Sequence, residues 1–372
     1  MMDEPIADPS LPSPGQYNLP SHGEIVRQFE GIFDRQYYTE SGPLVRTLED
    51  ALRSRLGASQ VVCTCNPTVA WIMLLEAGLT LRRIVAPATM PKSFAEAVRW
   101  TRSEWMICDV EALRNYQLTR GDVEAVRNDA ADGIVAINAW GGAADVEDLV
   151  ALAHERNAKL FFDSSQSLGS MIGERPIGAF GNAEVFALTP ENIVNGAGGA
   201  CICTNDELLA DRMRCMRSSS GVRRQVLVSK TVNGRMSEAQ AAYALLGLES
   251  LDDNIGRNRS LYDIYARHLK DVPGLTLHAS AGVSFSNHQQ AVLTVHRQQY
   301  GEGAAELVQR LGDNSVSARR LEFPLAPDSV DTSSTLPGFR SLVETGLELP
   351  LGSATDTHAI ESICRILLGF RR

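Results

Sequence analysis

The stretch from Lys159 to Thr204 constrains the fold more than any other part of the chain. It contains three short apolar runs that end in polar turns, and an acidic residue, Asp163, closes the first of them. Runs of this length are typical of buried parallel strands. Such strands deliver side chains to a site at their C-terminal ends, so we expect functional groups after each run.

Strand and helix patterns alternate along most of the chain before this stretch. Leucines repeat every four residues from Leu44 to Leu56, and Gly57 follows as a helix stop. Beyond them the sequence predicts strands at 60–65, 83–86, 105–108 and 133–139 and helices at 68–78, 93–102, 123–128 and after Asp145, the expected N-cap. Alternation of this kind indicates right-handed crossovers and a mostly parallel sheet with helices on both faces.

The pattern changes at both ends of the chain. Five prolines in residues 1–22 predict an extended N-terminal arm. Ser237 and Gln240 form a capping box that opens a helical region running to Lys270, with a break near Gly256. Short strands follow at LTLHAS, VSFSN and QAVLTVH, then helices at 303–311 and 357–370. We therefore predict an arm at 1–22, a large α/β domain at 23–250 and a smaller α+β domain at 251–372.

Charge and composition narrow the class of partner. The formal net charge is −10 at pH 7, which argues against a nucleic-acid or anionic-membrane surface and favours a small-molecule ligand.

The N-terminus lacks the pattern of a signal or transit peptide, and no apolar run has transmembrane length. Seven cysteines, expected to be reduced and mostly buried, indicate a cytoplasmic setting, and the seven histidines show no metal-ligand spacing.

Four segments in a fixed order carry a resemblance to a known family. They are SGPLVRTLEDALRSRLGASQVV, FFDSSQSLGSMIGERPIGAFGNAEVFAL, GGACICTNDELLADRMRCMRS and NGRMSEAQAAYALLGLESLD. Together they resemble the DegT/DnrJ/EryC1/StrS family of nucleotide-sugar aminotransferases, which depend on pyridoxal phosphate (PLP). The resemblance extends over nearly the whole chain and implies the aminotransferase fold of type I, with a homodimer whose sites lie at the subunit interface.

The resemblance also assigns roles to residues of the opening stretch. In the family, the aspartate that matches Asp163 pairs with the pyridine nitrogen of PLP, and the residue that matches Gln166 lies against the ring. Ala187 then stands at the position of a phosphate-binding serine, and Asn192 at that of the Schiff-base lysine. Counting back from Gly198-Gly199 instead places Glu191 at the lysine. Neither residue supplies an amine, and a carboxamide neither forms an aldimine nor titrates near neutral pH.

Few lysines are available to substitute for the missing amine. Only four of the 35 basic residues are lysine. Lys159 begins its strand, away from the site, and Lys270 ends a helix. Lys92, in a loop that approaches the ring in the family, and Lys230, in a segment that approaches a neighbouring subunit, remain as candidates.

Other positions that match cofactor and substrate contacts have changed in part. The Gly-Thr pair that binds the phosphate at a helix N-terminus is Pro67-Thr68 here, and proline has no N–H to donate. Pro91 stands near the place of an aromatic ring that stacks on the pyridine. Asn233 matches a residue that reaches the partner subunit's PLP, and the segment around it keeps Arg235. Arg319 and Arg320 lie in the substrate-side segment, where guanidinium groups would bind a diphosphate or carboxylate or remain solvated.

Three hypotheses about function follow. The first is a lysine-free homologue that uses the old pocket for a non-transaminating reaction on a nucleotide-sugar or natural-product intermediate, with or without PLP. The second is an enzyme that holds PLP or pyridoxamine phosphate (PMP) non-covalently. The third is a non-catalytic subunit that pairs with an active paralogue.

Overall fold

The fold is built on one large and one small sheet. The computed structural model describes residues 11–38, 42–77, 81–126, 131–218, 224–324 and 336–369. The helices of these residues are α1 (His22–Arg35), α2 (Pro43–Leu56), α3 (Pro67–Glu76), α4 (Lys92–Thr101), α5 (Arg120–Ala125), α6 (Val146–Glu155), α7 (Glu207–Arg217), α8 (Glu238–Glu249), α9 (Leu251–Leu269), α10 (Arg297–Tyr300), α11 (Ala304–Gly312), α12 (Pro337–Thr345) and α13 (Thr357–Leu367). The strands are β1 (Gln60–Thr64), β2 (Arg83–Pro87), β3 (Glu104–Cys108), β4 (Gly133–Ile137), β5 (Lys159–Asp163), β6 (Met171–Ile172), β7 (Arg175–Pro176), β8 (Ala183–Leu188), β9 (Gly199–Thr204), β10 (Leu275–Leu277), β11 (Ala291–Val295), β12 (Arg319–Arg320) and β13 (Gly346–Leu349).

The large sheet has seven strands in the order β1-β9-β8-β5-β4-β2-β3. The five strands from β8 to β3 pair in parallel, whereas β9 runs antiparallel to both of its neighbours, β8 and β1. Apolar side chains of the strands and helices fill a separate core on each face of the sheet. The predicted α/β fold with a mostly parallel sheet is confirmed, and the register brings the C-terminal ends of β2, β4, β5 and β8 to one edge.

The second sheet has four short antiparallel strands in the order β10-β11-β13-β12. A third core fills the space between this sheet and three helices, α9, α11 and α13. The α+β pattern predicted for the C-terminal part of the chain agrees with this arrangement.

Two predicted elements differ in the structure. The break between α8 and α9 falls at Ser250, not at Gly256, and the Ser250 hydroxyl donates back to the carbonyl of Leu246. The VSFSN segment contributes a single bridge between Met171 and Phe285 and no strand. Its serines bond to backbone instead: the Ser284 hydroxyl donates to the carbonyl of Gly173, and the Ser286 hydroxyl accepts the N–H of His288.

Helix caps were predicted with mixed success. The capping box of Ser237 and Gln240 is present, and Gly57 ends α2 in the left-handed region at φ 66°. Asp145 is the N-cap of α6 but its side chain makes no cap hydrogen bond. The predicted ends of three helices, at residues 78, 128 and 370, lie outside the described residues.

Within the predicted N-terminal arm, residues 11–21 form neither helix nor strand, and residues 1–10 lie outside the described part. The described part of the arm is bent, because Gly15 and Tyr17 have positive φ angles of 100° and 42°. No pattern in the sequence predicted that the arm would be buried. Gln16 is 0 % exposed, and its backbone N–H donates to the carbonyl of Glu191 at 3.2 Å. The Tyr17 N–H donates to the carbonyl of Pro190 at 2.9 Å, and the Asn18 amide donates to the carbonyl of Ile193 at 3.1 Å. The arm therefore lies along the loop that follows β8.

Candidate functional site

Asp163 ends β5 and lies at the centre of the candidate site. Its Oδ2 accepts a hydrogen bond from the indole Nε1 of Trp71 at 3.2 Å, and its Oδ1 accepts one from the N–H of Ser165 at 3.1 Å. The residue is 2 % exposed. Burial raises the pKa of Asp163, and the interactions with Ser165 and Trp71 act in the opposite direction.

Gln166 lies three residues after Asp163 and contacts the loop that follows the neighbouring strand, β4. Its side-chain oxygen accepts the N–H of Trp140 at 2.8 Å. Trp140 follows β4 in the left-handed region at φ 58°, a conformation that a bulky residue adopts only when its surroundings hold it. Asn287 donates to the carbonyl of Gln166 at 3.1 Å. Gln166 thereby ties the loops after β4 and β5 together.

The N-terminus of α3 carries Pro67 and Thr68. Asn66 is the N-cap, and its side chain accepts the N–H of Val69 at 2.8 Å. The Thr68 hydroxyl donates to Oε2 of Glu96 at 3.0 Å, and Lys92 lies 3.8 Å from the other oxygen of that carboxylate. A helix N-terminus favours an anion. Here the anion beside the first turn belongs to the chain itself.

Ala187 is the last residue but one of β8, and Asn192 lies in the loop that follows this strand. The Ala187 N–H donates to the Ser165 hydroxyl at 2.8 Å. Asn192 is 8 % exposed, and its amide donates to the Thr189 hydroxyl at 2.8 Å. The amide of Gln289 donates to the Asn192 oxygen, also at 2.8 Å. Asn192 is thus held at both ends of its carboxamide, whereas Glu191 beside it is exposed.

Replacing Asn192 by alanine tests how firmly this loop is held. We expect Asn192→Ala to lower the free energy of unfolding by about 1–2 kcal/mol, because the buried Gln289 amide loses its acceptor. Glu191→Ala is the control, since an exposed side chain contributes within about 0.5 kcal/mol. Chemical denaturation of the two variants measures both effects. Equal, small losses would contradict the hydrogen bonding described here.

The remaining predicted site residues lie in three places. Pro91 is the N-cap of α4, and Asn233 is exposed, with its side-chain oxygen accepting from Nε of Arg235 at 3.1 Å. Arg319 pairs with the buried Glu348, 2.8 Å away. Arg320 donates to the carbonyls of Val343, Glu344 and Gly346 at the end of α12. These two guanidinium groups are therefore engaged within the second sheet and its neighbouring helix.

The four lysines lie at or near the surface. Lys159 begins β5 and Lys270 follows the last residue of α9, and both are exposed. Lys92 is the first residue of α4 rather than part of a loop, and its side chain is 81 % exposed. Lys230 pairs with Glu76 at 2.6 Å and lies over the ring of Trp100.

Several residues of the site were missed in the sequence. Trp71 stands in an apolar helix, where a tryptophan indicates core, and the sequence shows nothing of a carboxylate 92 residues away. Glu96 and Gln289 look like ordinary surface polar residues. Only the strand-end position of Asp163 gave a usable signal, because parallel strands end at a common edge.

Two further classes of site find no support in the described residues. Within the ranges given above, no group of three or more His, Cys, Asp or Glu side chains is placed to hold a metal ion. Across those same ranges, no helix is both long and apolar enough to cross a membrane.

Residues 21–368 match the sequence profile of the DegT/DnrJ/EryC1/StrS aminotransferase family. A dTDP-4-amino-4,6-dideoxy-D-glucose transaminase of Shigella dysenteriae is 23 % identical over 94 % of this chain and 96 % of its own length. A GDP-perosamine synthase of Escherichia coli O157:H7 is 22 % identical over 91 % and 93 %.

Solved structures agree with this match. DesI, solved in the presence of its TDP-sugar product, superposes with a TM-score of 0.86 at 25 % identity, covering 96 % of this chain and 91 % of that one. The E. coli GDP-4-keto-6-deoxy-D-mannose-3-dehydratase, solved with bound hydrated PLP, superposes with a TM-score of 0.83 over 96 % and 99 %, and its 16 % identity supports the fold alone.

Proposed function

Because the chain belongs to the DegT/DnrJ/EryC1/StrS aminotransferase family, we propose that it binds a nucleotide-sugar, or a natural-product intermediate of similar chemistry, and converts it without a lysine Schiff base. The pocket is the edge where β2, β4, β5 and β8 end. We further propose that the protein works as a cytoplasmic homodimer, with the arm at 1–22 and the two domains divided near residue 250.

The observation that carries this proposal is the environment of Asn192. Its carboxamide is fixed between Thr189 and Gln289, so the position supplies neither an amine nor a group that titrates near neutral pH. The exposed Lys92 and the paired Lys230 do not substitute for it, since a Schiff-base lysine needs a neutral amine directed at the cofactor.

The residues present also fit the PLP phosphate poorly. When bound, PLP supplies an electron sink for a carbanion, and its phosphate needs free N–H groups and hydroxyls. In this chain Pro67 has no N–H, the Val69 N–H bonds to Asn66, and the Thr68 hydroxyl donates to the Glu96 carboxylate. Ala187 carries no hydroxyl. A second anion beside Glu96 would be repelled, so these residues do not fit the phosphate of PLP.

Two measurements test the proposal. The purified protein is incubated with PLP, reduced with borohydride and mapped by peptide mass spectrometry, and we expect no pyridoxyl group on any of the four lysines. Calorimetry with dTDP- and GDP-linked 4-keto-6-deoxy sugars should give saturable binding, stronger than with the nucleoside diphosphate alone. A pyridoxylated lysine, or no preference for the sugar-bearing nucleotides, would overturn the proposal.

A second candidate rests on a different observation, the exposed Asn233 and its hydrogen bond with the half-buried Arg235. A non-catalytic subunit would present these groups to the site of a lysine-bearing paralogue. Co-expression with such a paralogue distinguishes the two candidates. A stable heterodimer whose turnover falls on Asn233→Ala supports the second candidate, and turnover by the homodimer alone rules it out.

A further inference from the structure

We propose that Trp71 and Ser165 occupy Asp163 in place of a pyridine nitrogen, so that this end of the pocket excludes both PLP and PMP and Asp163 serves as a structural residue. The inference deepens the proposed function and rests on it for the identity of the pocket. It concerns binding of the pyridine ring, whereas the proposal above concerns a covalent bond to lysine.

Trp71 is fixed in the position from which it donates to Asp163. The residue is 0 % exposed on α3, and its ring packs edge-on against Phe94 with centroids 5.1 Å apart. Phe94 packs in the same way against Trp105, whose indole donates to the carbonyl of Ala86. Because these rings interlock, the Trp71 indole has no room to turn away from Asp163.

The hydrogen bond between the two side chains satisfies each of them. A buried indole N–H is a donor that needs an acceptor, and Asp163 Oδ2 provides it at 3.2 Å. A buried carboxylate needs donors, and each oxygen of Asp163 receives one, from the Trp71 indole and from the Ser165 N–H. Groups of the chain itself therefore already provide hydrogen bonds to both carboxylate oxygens at which a pyridinium would bind.

Access to the carboxylate is restricted as well. With 2 % of Asp163 exposed, a pyridine ring has almost no surface at which to approach an oxygen edge-on. Ser165 does not move aside easily, because its hydroxyl also accepts the N–H of Ala187 at 2.8 Å. Trp71 and Ser165 thus close the ring end of the pocket, and Glu96 stands at the phosphate end.

The alternative arrangement, in which Asp163 still accepts a pyridine nitrogen, predicts a different result for PMP binding. The experiment must exclude this alternative. If Trp71 occupied only Oδ2 of Asp163 and left Oδ1 accessible, Oδ1 could accept the pyridine nitrogen of the cofactor. The wild-type protein would then bind PMP. PMP is the suitable probe because it needs no lysine to bind.

We would titrate PMP by calorimetry into the wild type, into the single variants Asp163→Asn, Trp71→Phe, Trp71→Leu and Ser165→Ala, and into the double variant that combines Trp71→Leu with Ser165→Ala. The last titration uses that double variant with Asp163→Asn added. We expect no saturable binding by the wild type up to millimolar PMP. The double variant should gain at least tenfold in affinity, since a hydrogen bond to a charged group contributes about 1.5–3 kcal/mol. Adding Asp163→Asn should remove that gain.

Trp71→Phe is the control for folding, because it keeps a ring against Phe94 and removes the N–H. Thermal melting identifies which variants are folded. Wild-type binding of PMP that Asp163→Asn weakens would overturn the inference, and so would folded Trp71→Phe and double variants that gain no affinity. Wild-type PMP binding without a pyridoxylated lysine would refute this inference and leave the proposed function standing.

Discussion

Gln16→Ala is expected to lower the free energy of unfolding by about 2–4 kcal/mol, because it leaves two buried groups without their partners. The Gln16 amide donates to the carbonyl of Gln289 at 2.6 Å, and its oxygen accepts from the Asn258 amide at 2.9 Å. Each orphaned group costs about 1–3 kcal/mol. The loss should extend to the site, since Gln289 also holds Asn192.

Urea denaturation of the purified variant measures this effect, and hydrogen exchange of residues 189–193 shows whether the loop loosens. Leu19→Ala is the matched control in the same arm: Leu19 is 72 % exposed, so its truncation should change stability by less than about 0.5 kcal/mol. Similar losses of unfolding free energy for both variants would mean that the arm stabilises the fold by its packing as a whole and not through the hydrogen bonds of Gln16.

Glu184→Gln is expected to stabilise the protein near pH 8 by about 3 kcal/mol relative to the wild type. Glu184 lies on β8, where burial raises its pKa to about 7 from 4.5. Its oxygens accept from the Ser164 hydroxyl and from the N–H groups of Gly178 and Phe180. Glutamine offers an acceptor to both N–H groups and a donor to Ser164, so it keeps the contacts without the buried charge.

The sign follows from the direction of the shift. A carboxyl group whose pKa is higher in the folded state binds its proton more tightly there, so it stabilises the fold fully below pH 4.5. That contribution is lost as the pH rises through 7, at about 1.4 kcal/mol for each pKa unit.

The stability difference between Glu184→Gln and the wild type should therefore increase from pH 4.5 to pH 8, as followed by denaturation at each pH. Glu249→Gln, at the exposed end of α8, should show no such increase. A stability difference between Glu184→Gln and the wild type that does not change with pH would contradict the raised pKa of Glu184.

The fold was largely predictable from the sequence because its strands are buried runs separated by helices. Lys159–Asp163 was predicted with the bounds that the structure has. The errors arose where local hydrogen bonds competed with the pattern: Ser250 ends a helix that Gly256 was expected to break, and the serines of VSFSN bond to backbone. Side-chain hydrogen bonds of this kind depend on geometry that periodicity does not show.

The sequence indicated candidate site residues but not their contacts. Asp163, Gln166 and Asn192 were proposed from strand ends and from the family resemblance, and their roles stay predictions. The partners that decide what these groups can do, Trp71, Glu96 and Gln289, belong to other elements and were not identified. Each comes from a distant part of the chain, so its contact with the site exists only once the tertiary structure has formed.

The arm has a consequence for the order in which the molecule folds. Gln16 bonds to Gln289 and to Ser353, which are 273 and 337 positions away in the chain. Closing loops of that length costs conformational entropy. Such contacts therefore form late, after the local contacts have formed. During synthesis Gln16 emerges long before Gln289 and Ser353, so these contacts cannot form until the later part of this sequence has been made. The loop after β8 should accordingly be among the last of the described segments to become ordered.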